Sequence, residues 1–146
     1  MLPLIRAHAA YERGSAIVDA EALFQALSEP SPLLFAWVAE TQGRLIGYAT
    51  ATKEFSTWSG HQFLHLDCLF VQPAFRGTGV GTCLMGAVRA HALTAGICEM
   101  QWQTPTWNQD ACRFYKRLGA SAATKERFTW IIIDGTDAGL RAEGSL

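Results

Sequence analysis

Phe63-Leu-His-Leu-Asp-Cys-Leu-Phe-Val71 runs into Gln72-Pro-Ala-Phe-Arg76-Gly-Thr-Gly-Val-Gly81, and then into Thr82-Cys-Leu84-Met-Gly-Ala-Val88-Arg-Ala-His91. Three textures meet in this stretch. The first is almost continuously apolar, as expected of a central strand covered on both faces. The last places Val80, Leu84, Ala87, Val88 and His91 at helical spacing, closed by Gly96. Between them, glycines at 77, 79 and 81 let the chain turn tightly and bring backbone N–H groups up to an anion. The helix that starts there adds its positive end, and Arg76 offers a charge-assisted contact. The spacing is G-x-G-x-G, because residue 82 is Thr, so it departs from the dinucleotide fingerprint; no Lys follows as in a P-loop. Taken alone, the loop is either a phosphate cradle or a glycine-rich connection.

Upstream, Leu33 to Glu40 reads as a strand, Thr41-Gln-Gly43-Arg44 as a hairpin turn and Leu45 to Phe55 as the returning strand. Ser56 to Gly60 is a second turn, so the central strand completes a three-strand meander. Before it, Pro3 to Glu12 has helical spacing at Leu4, Ile5, His8 and Tyr11. A second helix is expected from Ile17 to Leu27, stopped by Pro30 and Pro32. Downstream, Ile97 to Gln103 reads as a strand. Asn108 then caps a helix whose buried face is Ala111, Cys112, Phe114, Tyr115 and Leu118, with Gly119 as its stop. Arg127 to Asp134 is expected to be a final strand. This order predicts an α+β fold with one mixed, mostly antiparallel sheet and helices on both faces, in a single domain over 1–134. Residues 135–146 are expected to be a loose tail.

The 146 residues suit one domain, and 49% hydrophobic content supplies ample core, which excludes disorder. The apolar surplus fits either a well-filled core or a self-association surface. A net charge of −1 provides no basic field for nucleic acid and no polybasic membrane anchor. No apolar run is long enough for a transmembrane helix, and the first residues lack signal-peptide character, so a cytoplasmic location is expected. Cys68, Cys83, Cys98 and Cys112 form no C-x-x-C pair and lie in apolar stretches, which predicts buried, reduced thiols. With no metal-ligand spacing among the histidines either, no metal is expected.

Phe70 to Gly81 resembles the coenzyme-A motif of the GNAT N-acetyltransferases. Trp107-Asn108-Gln-Asp-Ala-Cys-Arg-Phe114-Tyr115-Lys-Arg-Leu-Gly119-Ala120 resembles the motif that follows it in that family. Phe55 to Gly60, Leu66-Asp67 and Phe114 to Ala120 are similar to the diamine, or spermidine/spermine, branch. The resemblance implies a splayed sheet, acetyl-CoA as donor, a small primary amine as acceptor and commonly a homodimer. It implies coenzyme contacts from Leu69, Phe70, Val71, Arg76, Gly77, Thr78, Gly79, Val80, Gly81, Thr82, Asn108, Ala111 and Tyr115. Two departures stand out. The family's opening strand is missing if the first helix begins at Leu4, or else Leu2 to Arg6 is that strand and the helices are shortened. The branch's Leu-Glu-Asp is here Leu66-Asp67-Cys68.

Acetyl transfer to an amine needs an ammonium to lose a proton, an oxyanion to be stabilised and a thiolate to be protonated. Tyr115 is the candidate acid, since the resemblance places its hydroxyl near the coenzyme sulfur; spacing alone favours a core tyrosine beside Phe114, and the motif reverses that. Asp67 is the candidate base or ammonium anchor, directly or through a water, or else an exposed residue of a half-wet strand. A backbone N–H near Val71 is the candidate oxyanion donor. Tyr11, Glu12 and Trp102 are candidates for lining the acceptor pocket. His61 and His65 flank the strand, and no Cys–His arrangement for an acyl-enzyme is legible, so direct transfer in a ternary complex is expected. A catalytically weak or inactive module that binds acetyl-CoA or a protein partner is the second reading. A purely structural interaction protein is the third.

Overall fold

Phe35–Thr41 (β1), Arg44–Ser56 (β2) and His61–Val71 (β3) form the expected meander in the computed structural model, which describes residues 1–132. β1 and β2 pair antiparallel from Phe35↔Ala51 to Thr41↔Arg44, and β2 and β3 from Gly47↔Val71 to Ser56↔His61. The first hairpin closes tightly because Gln42 and Gly43 both take positive φ, 48° and 73°, the combination whose twist matches that of the strands. Met100–Gln101 (β4) adds parallel to β3, giving a mixed sheet in the order β1-β2-β3-β4.

The helices cover both faces of the sheet. Leu2–Tyr11 (α1) lays Leu4 against Tyr48 and Phe70 on one side. Leu2 to Arg6 is therefore helical and is not the opening strand. Ala20–Ser28 (α2) starts later than the sequence suggests, because Asp19 caps it by accepting the Glu21 N–H at 3.2 Å. Val80–Thr94 (α3) buries Leu84, Met85, Val88 and Ala92 on the opposite face, against Ala49, Ala51, Leu64 and Leu66. Each fully buried side chain of Leu or Val size stabilises by about 1.5–3 kcal/mol. Gln109–Arg117 (α4) brings Phe114 and Tyr115 to the edge of that core.

Two features of the sheet shape the site. Pairing of β3 with β4 covers only Leu64↔Met100 and His65↔Gln101, while β3 runs on to Val71, so the two strands part from Leu66 onward. β3 also carries a bulge: Thr50 faces Cys68, Ala51 faces Leu66, and Asp67 between them has no partner. The bulge changes which side of the strand faces which layer. Cys68 and Phe70 lie with α1, whereas Leu64, Leu66, Leu69 and Val71 pack toward α3.

Three expectations need correction. The strand read as Ile97–Gln103 shrinks to two residues, since a strand persists only while it has a ladder; Ile97 is instead buried in the core. Residues 127–132 of the expected Arg127–Asp134 strand form no strand and are exposed, Phe128 at 92% and Trp130 at 89%, because they dock on neither free edge of the sheet. Residues 133 and 134 and the expected tail at 135–146 lie outside the described residues. The cysteines are free as expected but not all buried: Cys83 and Cys98 are exposed, Cys68 and Cys112 half-buried. Cys83 lies on the side of α3 away from Leu84 and Val88. No helix among the described residues is long and apolar enough to cross a membrane.

Candidate active site

The glycine loop sits where β3 ends and α3 begins, beside the gap between β3 and β4. A short 3₁₀ turn, Pro73–Phe75, leads into it. Gly77 and Gly79 take φ of 76° and 91°, values open to glycine at little cost, and nothing lies within 4 Å of where a Cβ would stand on either. Gly79 is the left-handed N-cap of α3 and offers no side-chain cap, so the first N–H groups of the helix remain free for an anion. Thr78 Oγ1 donates to the Phe75 carbonyl at 2.7 Å and fixes the loop. Thr82 is exposed on the first turn of α3, while Val80 packs into the core. Gly81 has a different reason: a Cβ there would stand 3.3 Å from Cζ of Phe114, so it lets α4 approach α3.

Along the gap, the ladder dictates which backbone groups are free. The Gln72 N–H bonds to the Ile46 carbonyl at 2.8 Å. Alternation in an antiparallel pair then turns Leu69 and Val71 to the other edge, toward the opening. The Val71 carbonyl is taken by Arg76 Nε at 3.0 Å, leaving the N–H. Arg76 itself folds back, its guanidinium 4.3 Å from the Tyr11 ring and 5.7 Å from the Phe70 ring, instead of lying over the glycines. Tyr11 donates to Asn108 Oδ1 at 3.4 Å. That same oxygen accepts the Ala111 N–H at 3.2 Å and so caps α4. Arg76, Tyr11 and Asn108 thereby tie together the loop and the facing ends of α1 and α4.

Tyr115 packs its ring against Trp102 at 5.1 Å and Phe114 at 5.2 Å. Burial, reinforced by the Glu12 charge, pushes its hydroxyl up to about 12, so it stays protonated. On the α1 side of the sheet, a cavity of about 250 Å³ opens between α1, β2 and β3. Its walls include Ile5, His8, Ala9, Glu12, Tyr48 and Cys68. Asp67 is exposed on its bulge, with Thr50 Oγ1 donating at 3.4 Å and the Cys68 thiol at 3.5 Å to the same oxygen. Burial first and then the Asp67 charge raise the Cys68 thiol to about 11, which keeps it from acting as a thiolate nucleophile.

The sequence reading missed His8 and Tyr48. His8 Nδ1 is 3.0 Å from the Tyr48 hydroxyl, and Nε2 is 3.5 Å from Glu12 Oε1. The only sequence signal was the four-residue spacing from His8 to Glu12 on one helical face. His61 and His65 stand at the far end of β3 beside Glu99 and Glu54 at 3.4 and 2.8 Å. Among the described residues, no group of three or more His, Cys, Asp or Glu is placed to share a metal ion.

Comparison with known proteins adds to this geometry. The model of the Acetyltransferase (GNAT) family matches residues 4–120. The chain is 36% identical over 87 residues to the thialysine N-epsilon-acetyltransferase of Mus musculus, covering 59% of this chain and 51% of that protein. To the enzyme of the same name from Bos taurus it is 32% identical over 135 residues, 86% of this chain and 79% of the other. The match thus spans about half the length of the mouse relative. A solved aminoglycoside N-acetyltransferase in complex with CoA is similar at a TM-score of 0.62 and 26% identity, covering 69% of this chain and 78% of that one.

Proposed function

The chain belongs to the GNAT acetyltransferase family, and from that premise we propose that it moves the acetyl group of acetyl-CoA to a small primary amine by direct attack in a ternary complex. One observation supports the reading: β3 and β4 part beyond His65↔Gln101, the uncapped start of α3 follows the freed end of β3, and Tyr115 packs on Trp102 just past β4. The residues fit the coenzyme, because Gly77 and Gly79 leave free the space that a Cβ would fill. In this reading the pyrophosphate lies on the N–H groups of Gly77 to Thr82, and the pantetheine arm pairs with the freed edge of β3. Arg76 swings from Tyr11 to meet phosphate, and Asn108 and Ala111 border the thioester end.

The Val71 N–H then stabilises the oxyanion, and Tyr115 protonates the departing thiolate. Asp67 is the base or the ammonium anchor, and Tyr11, Glu12 and Trp102 border the acceptor. The names of the mouse and bovine relatives put the acetyl group on the ε-nitrogen of thialysine, which supports an alkyl amine as acceptor. The CoA bound to the aminoglycoside enzyme supports the donor. The raised Cys68 thiol favours direct transfer over an acyl-enzyme. A homodimer belongs to the reading as well, with the exposed Phe128–Ile132 stretch as the surface a second copy covers.

The test is a melt with and without acetyl-CoA, with NADH and ATP as controls, followed by thiol release with a panel of amines. At about 100 times its dissociation constant, acetyl-CoA adds roughly 2.7 kcal/mol of stability. Tyr115→Phe is expected to lower kcat by about 10²-fold or more while coenzyme affinity stays within about twofold. A second reading, a coenzyme-binding module without turnover, is favoured by one observation: Cys68 carries a protonated thiol where the diamine branch has a carboxylate. A melt shift with no thiol release from any amine supports that module; no shift at all favours an interaction protein.

A further inference from the structure

We infer that His8 is the group that takes the proton from the acceptor's ammonium, on the wall of the cavity between α1, β2 and β3. This rests on the amine-acetylation reading above and decides which residue is the base. The imidazole is held on three sides. Its ring stacks on Phe70 at 5.2 Å, meets the Tyr48 ring edge-on at 5.9 Å, and bonds to the Tyr48 hydroxyl through Nδ1 at 3.0 Å. A base oriented by a hydrogen bond at its second nitrogen is the arrangement that histidine bases need.

The other nitrogen, Nε2, faces Glu12 at 3.5 Å, with the His8 side chain 14% exposed and the Glu12 side chain 38%. With the proton on Nδ1 and donated to Tyr48, Nε2 carries a lone pair beside a carboxylate. Two acceptors at that spacing suit a primary ammonium, which meets Nε2 and the part-exposed Glu12 at the cavity's rim, while the almost wholly apolar cavity surface takes the amine's stem. The rest of the lining is apolar, with Ile5 and Ala9 among it. At about 250 Å³, the cavity is roomy enough for the stem of a small amine. It takes an amine with an apolar stem, whose ammonium end needs the two acceptors as partners.

The charges facing His8 come from every packed element: Glu12 on α1, Tyr48 on β2, Asp67 and Cys68 on β3, and Arg76 beyond β3. Burial is the largest influence and lowers the imidazole's affinity for protons, and Arg76 adds to that. Glu12 and Asp67 act in the opposite sense. The ring is thus neutral at pH 7 and able to accept a proton. Asp67, exposed on its bulge, is left as an ammonium anchor.

The protons balance as follows. The ammonium gives one proton to Nε2. The neutral nitrogen attacks the thioester carbonyl carbon and a C–N bond forms. As the C–S bond breaks, the thiolate takes the Tyr115 hydroxyl proton. The second proton lost by the nitrogen returns to Tyr115 through water, and the imidazolium releases one proton to solvent per turnover.

The test is the pH dependence of kcat/KM for wild type and His8→Gln, with thialysine or butylamine as the acceptor probe. Wild type is expected to show an acidic limb breaking below pH 6.5. His8→Gln should lose about 10²–10⁴-fold at pH 7 and rise in proportion to hydroxide, with part of the loss restored by added imidazole. Acetyl-CoA affinity should hold within about twofold, as it depends on other residues. Tyr48→Phe keeps the ring and removes only the orienting hydroxyl, so it reads the same limb if His8→Gln folds poorly; a displaced limb is expected. His8→Gln within about fivefold of wild type, with its limb intact, overturns the assignment and returns the role to Asp67. Wild type that acetylates neither probe counts against the amine reading instead. Nitrogen-15 NMR of the imidazoles tests His8 without turnover: Nδ1–H and a neutral ring at pH 7 are expected, and a charged ring or an Nε2–H form overturns the proposal.

Discussion

Tyr115 and Cys68 hold their protons into alkaline solution because burial disfavours their charged forms, and this has a cost at high pH. Cys68 rises from 9.0 to about 11 and Tyr115 from 10.0 to about 12 on folding. A folded value above the unfolded one means stability is intact below the unfolded value and lost as pH climbs through the folded one. The melting temperature should therefore decline from about pH 9, first through Cys68 and then through Tyr115. The gap at Cys68, from 9.0 to about 11, corresponds to at most roughly 2.7 kcal/mol. Cys68→Ala is expected to flatten the decline between pH 9 and 11 and leave the later part; melts across pH 8–11.5 measure it, and an unchanged curve removes Cys68 from the account. At this scale the sequence was legible where a motif carried the residue, as at Tyr115 and Gly79. It was not legible at His8, because a histidine on an apolar helical face reads as packing until one knows which strand it docks on. The Asp67 bulge was hidden for a related reason: it is a relation between two strands, and β3 alone does not encode it.

Among the elements, α3 does two jobs with opposite ends of its sequence, and they can be separated. Leu84 and Val88 anchor it to the sheet, while its first turn stays uncapped above Gly77 and Gly79. Gly79→Ala places a side chain at φ 91° with no neighbour to strike. The backbone penalty is about 1–2 kcal/mol, which a melt will show as a modest loss. The new methyl group also projects into the space proposed for pyrophosphate, so acetyl-CoA affinity measured by calorimetry is expected to fall by about tenfold or more, or about 1.4 kcal/mol of binding. A variant that melts lower yet binds the coenzyme equally well would place the phosphates elsewhere. The meander, α3 and the Asn108 cap were all readable, since each depends on local turn or capping chemistry. The length of β4 and the state of residues 127–132 were not, because a strand's extent is set by whichever edge it finds.

For the whole molecule, the same residues 127–132 raise the question of what covers them. Phe128, Trp130, Ile131 and Ile132 are 92%, 89%, 67% and 88% exposed, in a chain whose net charge of −1 supplies little repulsion between copies. An aromatic side chain of this size buries roughly 150–250 Å². Two of them with two isoleucines supply much of the ~800 Å² per partner that a stable interface requires. Leaving that surface in water forgoes about 25 cal/mol per Å², so association through this stretch is the expected state. The cavity proposed for the acceptor is walled by α1, β2 and β3 of one chain, which allows a dimer without sharing it. Sedimentation velocity at micromolar concentration is expected to find a dimer, and Trp130→Ser combined with Phe128→Ser to shift it to monomer. Because neither residue lines the cavity or the glycine loop, the double variant should still gain stability from acetyl-CoA. A wild-type monomer at every concentration would refute the dimer; a dimer that survives the double substitution would move the interface to another face.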